Sequence, residues 1–253
     1  MSTKTWIIFV AVVAVLFGGL LYVSSKNSVD VSTINGNSVL KASSQSGNIG
    51  DHVFGQPNSK VVLVEYGDFQ CPGCGAAYTP MKQVVETYQS KITYIFRNFP
   101  LTSMHPNALA AAAAVETAGL MGKYWQMHDK LYETQKDWSN ATADQRNGLF
   151  ADYAAAIGLD RNKFLQTLTD KNDSINQKIS FDQALGKKAG VNGTPSFFVN
   201  GKLVDLYVKD GKLVPKNPND STVQLIWSDP TAFGKFVLDP ALQKAGIASP
   251  SNQ

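Results

Sequence analysis

Two unbroken apolar stretches of different length organise the start of the chain. Trp6–Val23 is uncharged over 18 residues, at the lower edge of what spans a bilayer. Val61–Tyr66 is short and apolar except for Glu65, the pattern of a strand covered on both faces. A helix follows to about Gln89, with Pro80 expected to bend it, and then a strand over Ile92–Phe96. That order predicts a βαβ unit with parallel pairing. From His105 to about Ala189 the period becomes helical. Asn107–Ala118, Lys123–Thr134, Ala143–Ile157, Asp160–Leu168 and Asp173–Ala189 are the predicted helices, with Thr142 and Asp160 as N-caps. Strand character returns at Ser196–Val199, and Asn200-Gly201 predicts a tight hairpin turn into Lys202–Asp205. Leu206–Ser221, holding Gly211, Pro215 and Pro218, reads as an extended loop, and Pro230–Ala245 as a terminal helical region broken near Pro240.

A hairpin so far downstream completes the first sheet only if the intervening residues pack as a unit of their own. The fold class is therefore α/β, with a helical domain inserted at about 103–190 into a domain spanning 49–253. Ser24 to about Asn48, rich in Ser, Asn and Gly, reads as a linker. Lys4 and the α-amino group put residues 1–5 in the cytoplasm and the working domain outside, although Lys26 weakens the bias. A signal peptide cut near Val23-Ser24-Ser25 is the alternative, but signal cores are typically only ~7–15 residues. The expectation is a single-pass anchor over residues 6–23 in the cell membrane.

Composition narrows the function. With 43% hydrophobic and 17% charged residues and a net charge of +3, the chain can bury a core and has no basic block to bind nucleic acid. Its only two cysteines share one tetrapeptide, Cys71-Pro72-Gly73-Cys74, at the start of the first predicted helix. Sulfurs spaced this way lie on one face and can close a small ring. Zinc would need four ligands, and His52, His105 and His128 are not at ligand spacing, so neither metal nor cofactor is expected. Asp170-Lys171-Asn172-Asp173 lacks the glycine and distal glutamate of a calcium loop. Cys71, nearer the helix end, is the candidate nucleophile and Cys74 the resolving thiol. The helix dipole contributes about 0.3–1 kcal/mol, less than the ~1.36 kcal/mol of one pKa unit. Direct N–H···S contacts around Gly73 and Cys74 must add to it. Glu65 is costly in an apolar strand unless it is hydrated, partly protonated, or turned outward at the strand end.

Three groups of residues, in order, resemble the DsbA-like branch of the thioredoxin superfamily, especially its membrane-tethered members in Gram-positive-type bacteria. They are Asp51-His52-Val53-Phe54-Gly55 with Val62–Tyr66 and Gly67-Asp68-Phe69-Gln70-Cys71-Pro72-Gly73-Cys74; His105-Pro106-Asn107-Ala108 with Lys123–Asp129; and Gly193–Gly201. The resemblance implies a thioredoxin-like fold with an inserted helical domain. It also implies that Glu65 exchanges a proton with Cys74 through water. A cis Thr194–Pro195 bond would face the disulfide and leave the Thr194 backbone to pair with substrate. His105 and His128 are expected to pack and cap. Family oxidases often carry His where this chain has Gly73, which implies a milder oxidant. The expected activity is disulfide introduction into unfolded or partly folded secreted proteins. A membrane quinone-linked partner, DsbB-like or VKOR-like, would reoxidise the enzyme. A reductase or isomerase using the same site, and a tethered peptide-binding or chaperone module, are the alternatives.

Overall fold

The computed structural model describes residues 29–250, and near the N-terminus residues 6, 9, 10 and 12–15. Most of the anchor expected over Trp6–Val23 therefore lies outside the described residues. Among those described, no helix is long and apolar enough to cross a membrane.

The βαβ unit is β2 (Val62–Gly67), α1 (Pro72–Tyr88) and β3 (Thr93–Asn98), with β2 and β3 parallel and Glu65 opposite Phe96. β1 (Val53–Gly55) adds antiparallel to β3, and β4 (Ser196–Val199) antiparallel to β2 with β5 (Lys202–Leu203) at its side, giving the order β1-β3-β2-β4-β5. Alternation along β2 divides the core. Leu63 packs with α1 residues Met81, Val84 and Val85, whereas Val64 and Tyr66 pack with Phe181 and Leu185 on the other face. The β4–β5 turn is built on Asn200 and Gly201, both left-handed at φ 47° and 78°, as a two-residue hairpin with right-handed strand twist demands.

The helical insertion comprises α2 (Ala108–Leu120), α3 (Tyr124–Glu133), the one-turn α4 (Gln135–Trp138), α5 (Ala143–Ala156), α6 (Arg161–Asp170) and α7 (Asn172–Lys188). Thr142 caps α5 by accepting from the Gln145 amide, and Asp160 caps α6 by accepting from that of Lys163. Pro80 lies within α1, which continues through it.

Three expectations are corrected. Residues 29–48 are not a free linker. Val31 is buried beside Tyr66, Phe198 and Leu185, and the Lys188 ammonium donates to the carbonyls of Val31, Ser32 and Ile34. The fully buried Arg97 donates to Ser38 O at 3.1 Å and Gly36 O at 2.5 Å, and to Asp51 Oδ2 at 2.8 Å. The low amphipathicity of this segment hid its role, because it is tied to Arg97 and Lys188 through backbone carbonyls. Second, Leu206–Ser221 is not simply an extended loop. Tyr207–Lys209 (β6), Lys212–Val214 (β7) and Gln224–Leu225 (β8) form a second sheet ordered β7-β6-β8. Its hairpin turns on Asp210-Gly211, at φ 50° and 69°. Third, the terminal helix is widened rather than broken. α8 (Pro230–Phe233) runs through a π-type turn over Gly234–Leu238 into α9 (Asp239–Ala245). Pro240 has no N–H and crowds the carbonyl four residues back, and a wider turn relieves both.

Candidate active site

Cys71 is the N-cap of α1, at φ −65° and ψ 124°, and Pro72 is the first helical residue. Proline fits there because its missing N–H would be unpaired in any case. The Cys71 carbonyl accepts from the Gly75 amide at 3.0 Å, while its sulfur sits over the open amides of the first turn. Cys71 retains 8% of its surface and Cys74 none. The two thiols are chemically opposite. Cys71 is pulled down to about 5, chiefly because the Cys74 thiol donates to its thiolate, with the Thr194 hydroxyl and the Cys74 and Gly73 amides helping against burial. Burial and the neighbouring Cys71 push Cys74 well above the usual thiol range, even though the Asp68 amide donates to it at 3.5 Å. Cys71 is the sulfur poised as thiolate, and Cys74 the one held protonated.

The Thr194–Pro195 bond is cis, and the Cys71 thiol donates to the Thr194 carbonyl at 3.4 Å. A Cβ on Gly73 would stand 3.4 Å from Pro195 Cδ and 3.6 Å from both Cys71 Sγ and Thr194 O. The structure thus brings Cys71, Cys74, Gly73, Thr194 and Pro195 together across 120 residues of sequence. The Thr194 hydroxyl is buried without a partner.

Glu65 is set back in the sheet and does not turn outward. Its carboxylate accepts from the Tyr94 hydroxyl at 2.6 Å, and burial pushes it up to about 7 against that bond. No hydrogen bond joins it to Cys74, although its charge raises the Cys74 pKa. A cavity of about 50 Å³ lined by Glu65, Tyr94, His128 and Tyr132 lies beside it, room for a water or two. His128 is enclosed by the rings of Phe69, Phe96 and Tyr132, and burial pushes its imidazole down.

Several residues that hold the site carry no signal in the sequence. The Gln135 amide donates to Phe69 O at 2.7 Å and Cys71 O at 2.9 Å. Gly75 makes room for it, since a Cβ there would lie 2.3 Å from Gln135 Oε1. Buried Asp68 accepts from the amides of Gln70 and Leu101, both at 2.8 Å, and pairs with His105 Nδ1 at 2.7 Å. His105 therefore anchors the cysteine loop as well as packing. Asn107 joins Gln70 to the insertion by accepting Arg146 and donating to Ser139 O and Ala141 O. Among the described residues no cluster of ligating side chains could hold a metal ion.

Comparison with known proteins agrees with this geometry. The thioredoxin family model matches residues 47–213. Among solved structures, the thiol-disulfide exchange protein alpha-DsbA2 from Wolbachia pipientis is 27% identical. Its TM-score is 0.53, covering 60% of this chain and 77% of that one. Oxidised BdbD from Bacillus subtilis, 22% identical with a TM-score of 0.58 over 83% of this chain and all of that one, shares the fold. Two sodium–proton antiporters also match: NhaA 1 of Salinispora arenicola is 38% identical over 152 residues, and NhaA 1 of Mycobacterium sp. (strain KMS) is 36% identical over 154. Each match covers 60% of this chain but only 22% and 24% of those proteins. The chain spans about a quarter or less of these curated relatives, so the likeness concerns a segment and does not carry transport to this chain. The matched residues, the Cys71–Cys74 helix start and the facing Thr194–Pro195 loop show that the chain belongs to the thioredoxin family, in its DsbA-like form with a helical insertion.

Proposed function

We propose that the chain is a thiol–disulfide oxidoreductase that introduces disulfides into extracytoplasmic proteins. The observation that carries this reading is the contrast between the two sulfurs, with Cys71 pulled down to about 5 and Cys74 pushed up. A thiolate so stabilised favours the reduced enzyme, and a disulfide whose reduced form is favoured is an oxidant. The same contrast argues against the reductase reading, which needs a stable disulfide.

In the oxidised enzyme a substrate thiolate attacks Cys71 Sγ. The Cys71–Cys74 bond breaks, and Cys74 leaves as a thiolate that takes up a proton. A proton passed from Glu65 through water would serve, because a carboxyl near 7 exchanges protons readily at neutral pH. The second substrate thiolate then attacks the substrate sulfur of the mixed disulfide. This releases the new disulfide and Cys71 as thiolate, two electrons having passed to the enzyme. Thr194, beside Cys71 in the facing loop, offers backbone for an extended substrate. An N-terminal anchor over residues 6–23 would place the domain outside the cytoplasm, where a membrane quinone-linked partner restores the disulfide.

The test is oxidation of a reduced, unfolded protein by stoichiometric oxidised enzyme. Native disulfides should form faster than in air, and Cys71→Ser should abolish the reaction. Full activity in Cys71→Ser would instead support the binding-module alternative.

A further inference from the structure

A cleft of about 860 Å³ opens between the cysteine loop and the helical insertion, with Gln70, Pro72, Met104, His105, Lys136 and Arg146 in its walls. Gln70 and Pro72, which flank Cys71 in sequence, both line it, so the cleft adjoins the reacting cysteine. Arg146 is tied to that edge by two hydrogen bonds, from its guanidinium to Asn107 Oδ1 and from the Asn107 amide to Gln70 Oε1. No carboxylate lines the cleft. Asp137 and Asp144 are neighbours in sequence of its walls but stand outside it, and Asp68 is buried beneath His105. Among the described residues neither Lys136 nor Arg146 has an ion-pair partner, and the Arg146 Nε–H is buried without an acceptor.

From this arrangement we infer that the cleft is a specificity subsite for acidic substrates, receiving an extended segment that carries an aspartate or glutamate within a few residues of its reactive cysteine. The inference rests on the oxidoreductase reading and adds a substrate class to it. An extended chain advances about 3.3 Å per residue. A carboxylate two or three residues from the sulfur bonded to Cys71 therefore reaches ~7–10 Å along the cleft. A guanidinium fixed by Asn107 presents its remaining N–H groups as a planar fork, the geometry that suits a carboxylate. Lys136 adds a second positive charge from α4. Met104, 67% exposed, supplies apolar surface for the stem of the same segment. A basic segment would meet two unpaired cations at close range and be disfavoured.

Three peptides test this, each with two cysteines and differing only in whether Glu, Gln or Lys stands two residues from the first. The rate of oxidation by the full-length oxidised protein is divided by the rate with hydroxyethyl disulfide, which removes the effect of each residue on the thiol itself. The normalised Glu-to-Lys ratio should be about three- to tenfold at low salt, the worth of one or two partly exposed ion pairs, and should shrink at high salt. The ratio should fall toward one in the double variant Lys136→Gln with Arg146→Gln, survive in Arg146→Lys, and invert in Lys136→Glu with Arg146→Gln. Equal rates for all three peptides, a preference for lysine, or a glutamate preference that persists in the double variant would overturn the subsite while leaving the oxidoreductase reading intact. Failure to oxidise any peptide or dithiothreitol would overturn that reading and the subsite with it.

Discussion

Replacing Thr194 by valine isolates one source of the acidity of Cys71. While Cys71 is a thiol its proton goes to the Thr194 carbonyl, and the Thr194 hydroxyl is buried without a partner. When Cys71 ionises, that hydroxyl can turn its proton to the sulfur, and this contact helps hold the thiol at about 5. A hydrogen bond to a charged group is worth about 1.5–3 kcal/mol, and Cys71 is only 8% exposed. Valine keeps the shape and removes the donor, so the Cys71 pKa should rise by about 1–2 units. At ~30 mV per ~1.4 kcal/mol for a two-electron couple, the disulfide should become about 30–60 mV more reducing. The pH dependence has a definite sign. A thiol depressed from 9 in the unfolded chain to about 5 in the folded one stabilises the reduced fold fully above 9. That stabilisation declines as pH falls and is gone below about 5. The variant should therefore weaken the reduced protein near neutral pH and leave it unchanged at about pH 4. Alkylation rates against pH give the pKa, and equilibration with glutathione gives the potential. An unchanged pKa, or a loss of stability equally large in acid, would show that the hydroxyl does not serve the thiolate.

The remaining predictions concern the residues around the sulfurs. Glu65→Gln should slow the release of Cys74 in stopped-flow oxidation; because Glu65 is raised from 4.5 to about 7, the substitution should also stabilise the fold by up to ~3 kcal/mol above neutrality and by nothing in acid below the unfolded value, as urea unfolding at the two pH values would show. Gly75→Ala should displace Gln135 and destabilise by about 1–2 kcal/mol, yet in a Gln135→Ala background the same change should be neutral or stabilising by up to ~1 kcal/mol through helix propensity; additive losses in this double-mutant cycle would refute the steric link. Gly73→His, whose Cβ stands 3.6 Å from Cys71 Sγ, should lower the Cys71 pKa and make the disulfide more oxidising by tens of millivolts, on the order of 30 mV per ~1.4 kcal/mol; an unchanged or more reducing potential would count against control by this dipeptide. In the reduced protein iodoacetamide should label Cys71 before Cys74, and mass spectrometry finding the reverse would overturn the assignment of roles.

Local periodicity made the helices legible, and each of the five predicted in the insertion lies within a few residues of an observed one, with Thr142 and Asp160 as its caps. The tetrapeptide and the Gly-Thr-Pro turn marked both halves of the site because their residue types are unusual in themselves. What escaped depends on partners distant in sequence. Gln135 matters only because it meets the Phe69 and Cys71 carbonyls 66 and 64 positions away, and nothing in a short helical turn announces that. Arg97 falls one residue past the predicted strand Ile92–Phe96 and draws no notice until Asp51, Gly36 and Ser38 close around it. The β6–β7 hairpin was legible in principle from Asp210-Gly211, but strands of three residues give too little alternation to stand out.

Because Val29 already packs against the domain, the slack between any N-terminal anchor and the domain is short. If residues 6–23 occupy a bilayer, only residues 24–28 remain to bridge the gap, and five residues reach at most ~17 Å. The Lys188 ammonium, donating to the carbonyls of Val31, Ser32 and Ile34, ties the chain to the domain at that point. The enzyme would then ride on the membrane surface like a moored boat on a short line. It could meet only chains that emerge close to its mooring, and any reoxidising partner would have to drift within reach in the same plane.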